Sequence, residues 1–199
     1  MKALGLLPLP VLAIALLLGA TAFAQNVGDD SVYFLTYYSN AHTVGAPAQT
    51  VRIVNDGDTG ANLWATFYVF DDSEELQECC SCAVTPDGLT SESVNQDLTA
   101  RSLTGRVNTT GVIKVISSSI AAAGPTNFTN LPAPGLRLWS THNQRGAASG
   151  TFYKTEAPFA ASNLVSSEKT MLETLCFYVN LLGGGGPGVC RCTPEGADF

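Results

Sequence analysis

Charge is scarce in this sequence. Asp, Glu, Lys and Arg together make up 14% of it, with 10 basic residues against 17 acids. So few cations, scattered among an acidic excess, cannot build the stripe that tracks a nucleic-acid backbone, nor a patch that docks on anionic lipid. Histidine is scarcer still: His42 and His142 are the only two, and no Gly-x-Ser-x-Gly nucleophile motif accompanies them. Beyond residue 18 no long apolar run recurs, so nothing downstream offers the roughly 20 apolar residues of a spanning helix. The glycine run over 183–188 follows a helical pattern instead of opening one. It also lacks the Lys-Ser/Thr step of a phosphate loop, so it reads as a bend.

What is present starts with an export signal. Met1-Lys2, an apolar run over 4–18 and a small-x-small site ending at Ala24 read as a secretory signal peptide cleaved after Ala24. The run is short for an anchor and contains Pro8 and Pro10. The expectation is a signal peptide over 1–24 and a single β-rich secreted domain over 25–199, extracellular or periplasmic, with no membrane insertion after cleavage. Loss of Lys2 leaves nine basic residues against 17 acids, a net charge of −8. A chain of this length can bury a core of its own. Few charges and abundant Gly, Ser, Thr and Asn suit an exported β protein.

The six cysteines fall into two groups. Cys79, Cys80 and Cys82 sit in the stretch 78–82; Cys176, Cys190 and Cys192 lie about a hundred residues downstream. In an exported chain these imply three disulfides, and arithmetic alone leaves fifteen pairings open. The expectation is that bridges run mainly between the groups, clasping a strand edge to the C-terminal helix and tail. The spacing also admits a metal, since Cys79, Cys82, Cys190 and Cys192 could furnish four thiolates for zinc. Oxidation after export opposes that. The acids Asp72, Glu74, Glu75 and Glu78, just before the thiols, would raise their pKa and disfavour a thioredoxin-like role. No metal or other cofactor is expected.

Alternating apolar and β-branched residues mark strands over 31–38, 49–55, 63–71, 89–94, 111–116, 136–142 and 151–156. The turn residues of 55–60 suggest that the second and third form a hairpin. The first, with aromatics on both faces, reads either as a core strand or as a strand awaiting a partner. In 63–71, Leu63, Ala65, Phe67 and Val69 share one face, and Trp64, Thr66, Tyr68 and Phe70 the other. The five acids within 71–78 read as a solvated connection. The Pro-, Ala- and Asn-rich 117–135 reads as a long surface loop. A helix is expected over 166–182, capped by Ser166 or Ser167, with Leu172, Leu175, Cys176, Val179 and Leu182 as its buried stripe. The fold class expected is mainly β: a two-sheet β-sandwich of about seven strands with one C-terminal α-helix, stapled by disulfides.

Function is less legible. Asp56, Asp58 and Asn62 are hard oxygen donors, but Gly60 and Phe67 stand where an EF-hand needs ligands, so the turn reads as an Asx turn. His142, beside Asn143, is the candidate for a hydrolase. Trp64, Tyr68, Trp139 and Tyr153 could stack on sugars if they share a face, and otherwise belong to the core. The expectation is a non-catalytic exported protein of cell-surface or extracellular structure, adhesion or assembly, with self-association or a surface glycan as partner. The alternative is a carbohydrate-binding module using exposed aromatics, and after it a secreted hydrolase. No catalytic residue is assigned.

The segments Val51-Arg52-Ile53-Val54-Asn55, Tyr68-Val69-Phe70-Asp71, Glu78-Cys79-Cys80-Ser81-Cys82, Val84-Thr85-Pro86, Leu103-Thr104-Gly105 and Thr110-Gly111-Val112-Ile113-Lys114 together form a pattern. With Leu175-Cys176-Phe177 and the glycine run before the last cysteines, it resembles an uncharacterised family of secreted bacterial proteins. The resemblance spans most of 51–192 and is most specific at the cysteine stretch. It implies export and a disulfide-stapled β fold, and it transfers no functional residue.

Overall fold

The computed structural model describes residues 30–120, 129–184 and 190, together with the backbone of 193–194. The signal-peptide reading over 1–24, Cys192, and parts of the 117–135 loop and the glycine run lie outside these residues. No described helix is long and apolar enough to cross a membrane.

Ten strands are described: β1 (Tyr33–Ser39), β2 (Thr50–Asn55), β3 (Leu63–Asp71), β4 (Leu76–Val84), β5 (Leu89–Ser93), β6 (Thr110–Ser119), β7 (Leu136–Arg145), β8 (Phe152–Pro158) and the two-residue β9 (Ala160–Ala161) and β10 (Thr193–Pro194). A π-helical turn, Val94–Leu98, follows β5, and α1 (Ser166–Leu181) precedes β10. The strands form two antiparallel sheets, ordered β4-β3-β6-β1-β9 and β10-β5-β2-β7-β8. The mainly β fold, two packed sheets and one C-terminal helix, is the architecture expected from the strand and helix patterns.

Period-two alternation builds the layers. On β3, Leu63, Ala65, Phe67 and Val69 point between the sheets, where they meet Phe34, Val51, Ile53, Ile113, Val115, Leu136 and Leu138. Tyr68 and Phe70 point the other way and form a second apolar cluster with Tyr33, Ile116, Leu172, Cys176 and Val179. The helix therefore covers the outer face of the first sheet. Each fully buried side chain of this kind contributes roughly 1.5–3 kcal/mol. Polar contacts fix the helix in place: Lys114 Nζ and Tyr33 Oη both donate to Glu168 Oε1, at 2.6 and 2.8 Å. Burial pushes the Glu168 carboxyl up, but these hydrogen bonds and the Lys114 charge more than offset it, leaving its pKa below the ordinary value.

Four local expectations need correction. Strands β2 and β3 are not a hairpin: β2 pairs with β5 and β7, while β3 pairs with β4 and β6. The 55–60 turn carries the chain from one sheet to the other, with Asn55 Nδ2 donating to the carbonyls of Ala61 and Val84. The acidic stretch is a tight β3–β4 turn built on buried Asp71, whose Oδ1 accepts from the N–H of Ser73 and Glu75 and whose Oδ2 accepts from Gln77. The residue that caps α1 is Val165, which offers no side-chain hydrogen bond. At the other helix end Leu182 is exposed, so the buried stripe stops at Val179. Gly183 adopts φ +94° there, and the N–H groups of Gly183 and Gly184 reach back to the carbonyls of Asn180 and Val179. That is a Schellman ending, which requires the left-handed conformation glycine supplies.

Candidate functional site

The cysteine stretch is strand β4, at the edge of the first sheet. Its pairing sets Cys79 opposite Tyr68, Cys80 opposite Phe67 and Cys82 opposite Ala65. Alternation therefore sends Cys79 outward to the helix and Cys80 and Cys82 inward to the space between the sheets. Cys79 is bonded to Cys176, at a sequence separation of 97, and Cys80 to Cys190, at a separation of 110. Both bridges cross between the two groups. Cys82 is also oxidised, and no described cysteine is free. After Cys190 the tail adds β10 antiparallel to β5, so the C-terminal segment leads from the helix layer to the far sheet.

Beside the inner bridge stands Glu92, fully buried, with Oε1 3.0 Å from the Cys82 sulfur. Glu92 and the sulfurs of Cys82 and Cys190 lie within 4.8 Å of one another, a spacing suited to a metal. Both sulfurs are committed to disulfides here, so the thiolates that zinc requires are not offered. Oxidised Cys82 also has no proton to donate to Glu92. Of the four cysteines in the zinc spacing, Cys79, Cys82 and Cys190 are cross-linked, and Cys192 lies outside the described residues.

A second polar cluster lies where β1 meets β7. Ser140 and His142, two residues apart on β7, share its inner face; Ser140 Oγ is 2.9 Å from His142 Nε2 and 2.9 Å from Thr36 Oγ1. The Tyr37 ring stacks on the imidazole at 4.3 Å and 26°. His142 is buried, and desolvation lowers its pKa, opposed in part by a hydrogen bond to the Tyr37 backbone. A neutral imidazole bonded to a serine hydroxyl is the starting arrangement of a nucleophile–base pair. Here the pair is closed over by Tyr37, and among the described residues no carboxylate is hydrogen-bonded to the ring. Sequence reasoning singled out His142 but missed Ser140, although the i, i+2 spacing on an alternating strand was a usable signal. His42 is elsewhere, with Nε2 2.8 Å from Thr99 Oγ1.

The other candidates are dispersed. Asp56 is held by Arg137 at 2.9 Å and accepts the Asp58 N–H, while Asn55 accepts the Gly57 N–H, so the 55–60 turn is a set of Asx turns. The four aromatics do not lie together on one face. Trp64 and Tyr68 lie on the helix side of the first sheet, and Tyr68 is fully buried with its hydroxyl bonded by Asn130. Trp139 and Tyr153 lie on the second sheet, and their register places them on opposite faces of it: Trp139 stands opposite Pro158, and Tyr153 opposite Gln144. They cannot form one sugar-stacking platform.

No family model, curated protein or solved structure matches the chain. What the molecule presents to a partner must therefore be read from its own surface. The exposed apolar side chains concentrate on the outer face of α1, where Met171, Phe177, Tyr178, Leu181 and Leu182 face solvent. A shallow open groove along the same helix is lined by Ser166, Ser167, Thr170, Met171, Thr174 and Leu175, hydroxyl and apolar groups without a titratable side chain.

Proposed function

We propose that this chain is a non-catalytic exported protein acting in extracellular or cell-surface structure, as a component of adhesion or assembly. The observation that carries the reading is the oxidised clasp. Bridges from β4 to the helix and to the tail span 97 and 110 residues and persist only in an oxidising compartment. Cross-links of that reach tie β4 to the helix and to the tail that pairs with the far sheet. The groups with chemical potential point the same way: the described cysteines are oxidised, and the Ser140–His142 pair lies under the Tyr37 ring. Contact surface is instead plentiful on α1. In an export-competent host the product should begin at Gln25 by N-terminal sequencing. Size-exclusion chromatography with light scattering should show mass rising with concentration, and a strict monomer throughout would count against a role in assembly.

A further inference from the structure

Strand β8 ends its sheet: β7 pairs along one edge, and no described strand pairs with the other. Tyr153, Lys154, Thr155 and Glu156, at its centre, are all exposed. An open edge is a row of unpaired backbone groups, and soluble proteins blunt such edges with charge or proline. Here the charges have an order that does more than repel.

We propose that the outer edge of β8 is a self-association surface, at which two copies of this chain pair their β8 strands antiparallel about a two-fold axis at Thr155. The proposal rests on the assembly reading above and names its partner. A two-fold axis perpendicular to a sheet leaves each face pointing the same way, so a residue can stand opposite only a residue of its own face. The axis must then pass through a residue position. Centred on Lys154 it sets lysine against lysine; centred on Glu156 it sets glutamate against glutamate. Centred on Thr155 it sets Lys154 opposite Glu156 of the second copy, twice by symmetry. Thr155 is also the midpoint of the seven-residue strand, so this register pairs its whole length, with Phe152 opposite Pro158 and Tyr153 opposite Ala157. Opposite charges directly across an antiparallel pair are favourable, and like charges unfavourable.

The protomer prepares this geometry. Arg52 NH1 holds Glu156 Oε1 at 2.9 Å and orients the carboxylate, while Lys154 has no ion pair among the described residues. Pro158, which has no N–H, falls at the end of the ladder, where its missing donor costs least. The resulting dimer would carry a continuous sheet through both copies.

Charge reversal tests the register. Sedimentation velocity on the mature chain at low ionic strength should show dimer growing with concentration. Lys154→Glu or Glu156→Lys alone creates two like-charge pairs and should weaken association about tenfold. The double variant Lys154→Glu/Glu156→Lys should restore part of it, position 156 having lost its Arg52 partner. These side chains are exposed, and circular dichroism confirms that each variant keeps its fold. A wild-type dimer indifferent to both single reversals overturns the edge assignment and leaves the assembly reading standing. A strict monomer at all concentrations overturns both.

Discussion

Glu78 is a carboxyl set among apolar side chains, on the inner side of β4. It is 1% exposed and accepts the backbone N–H of Arg101. Burial pushes its pKa up from 4.5 to about 7; the Arg101 hydrogen bond and charge oppose the rise, and the Asp97 carboxylate adds to it. The sign of the linkage follows. Between about pH 4.5 and 7 the folded chain keeps a proton that the unfolded chain releases, so stability falls as pH rises through this window. A shift of this size corresponds to about 3 kcal/mol. Glu78→Gln keeps an acceptor for Arg101 and is neutral at every pH. It should match the wild type near pH 4, below the window, and exceed it by up to ~3 kcal/mol at pH 8 in urea unfolding. Parallel pH profiles for the two proteins would contradict the assignment.

Among the strands, β6 carries the closest approach. It lies between β3 and β1, and its Gly111 stands opposite Asp71 on one side and Tyr38 on the other. A Cβ at Gly111 would meet the Phe70 carbonyl oxygen at 1.9 Å and the Tyr38 hydroxyl at 2.6 Å. Backbone oxygen cannot move aside as a flexible side chain can, so Gly111→Ala should cost about 3 kcal/mol, at the upper end of overpacking penalties. Gly60, at φ +63° with no neighbour near its Cβ position, makes the contrast: Gly60→Ala should cost only the ~1–2 kcal/mol of left-handed strain. Thermal unfolding of the two variants separates the causes. The strand itself was legible, because Val112, Ile113, Val115 and Ile116 announce it. The clearance at Gly111 was not, since it depends on which strands flank β6. The cysteine strand β4 was hidden for a related reason. Its apolar character comes from thiols, and the acids before it resemble a solvated linker until Asp71 is seen folding them into a turn.

Across the whole molecule, alternation and periodicity exposed both sheets and the helix, while the order of strands within the sheets stayed out of reach. A turn-rich sequence such as 55–60 records that the chain reverses, not whether it returns to the same sheet, and so β2 and β3 were read as neighbours. The candidate site suffered in the same way: Trp64, Tyr68, Trp139 and Tyr153 were visible as residues, but their separation onto different faces follows from topology. The two cysteine groups were legible because pairing across a long gap depends on little besides their separation. That separation also sets how the bridges share their effect. In the chain-entropy picture a bridge closing about 100 residues contributes ~4.7 kcal/mol, and one closing about 15 contributes ~3. With Cys80–Cys190 intact, adding Cys79–Cys176 closes only the short ring between two nearly coincident links, and the reverse holds equally. Removing either bridge alone as a serine pair should then cost at most ~3 kcal/mol, while removing both costs more than the sum of the single losses. Because Cys82 is also oxidised and would hold the long loop closed by itself, the comparison is made with Cys82 and Cys192 replaced by serine in every variant. A double-mutant cycle on unfolding free energies measures the coupling, and simple additivity of the two bridges would show that they constrain separate parts of the chain.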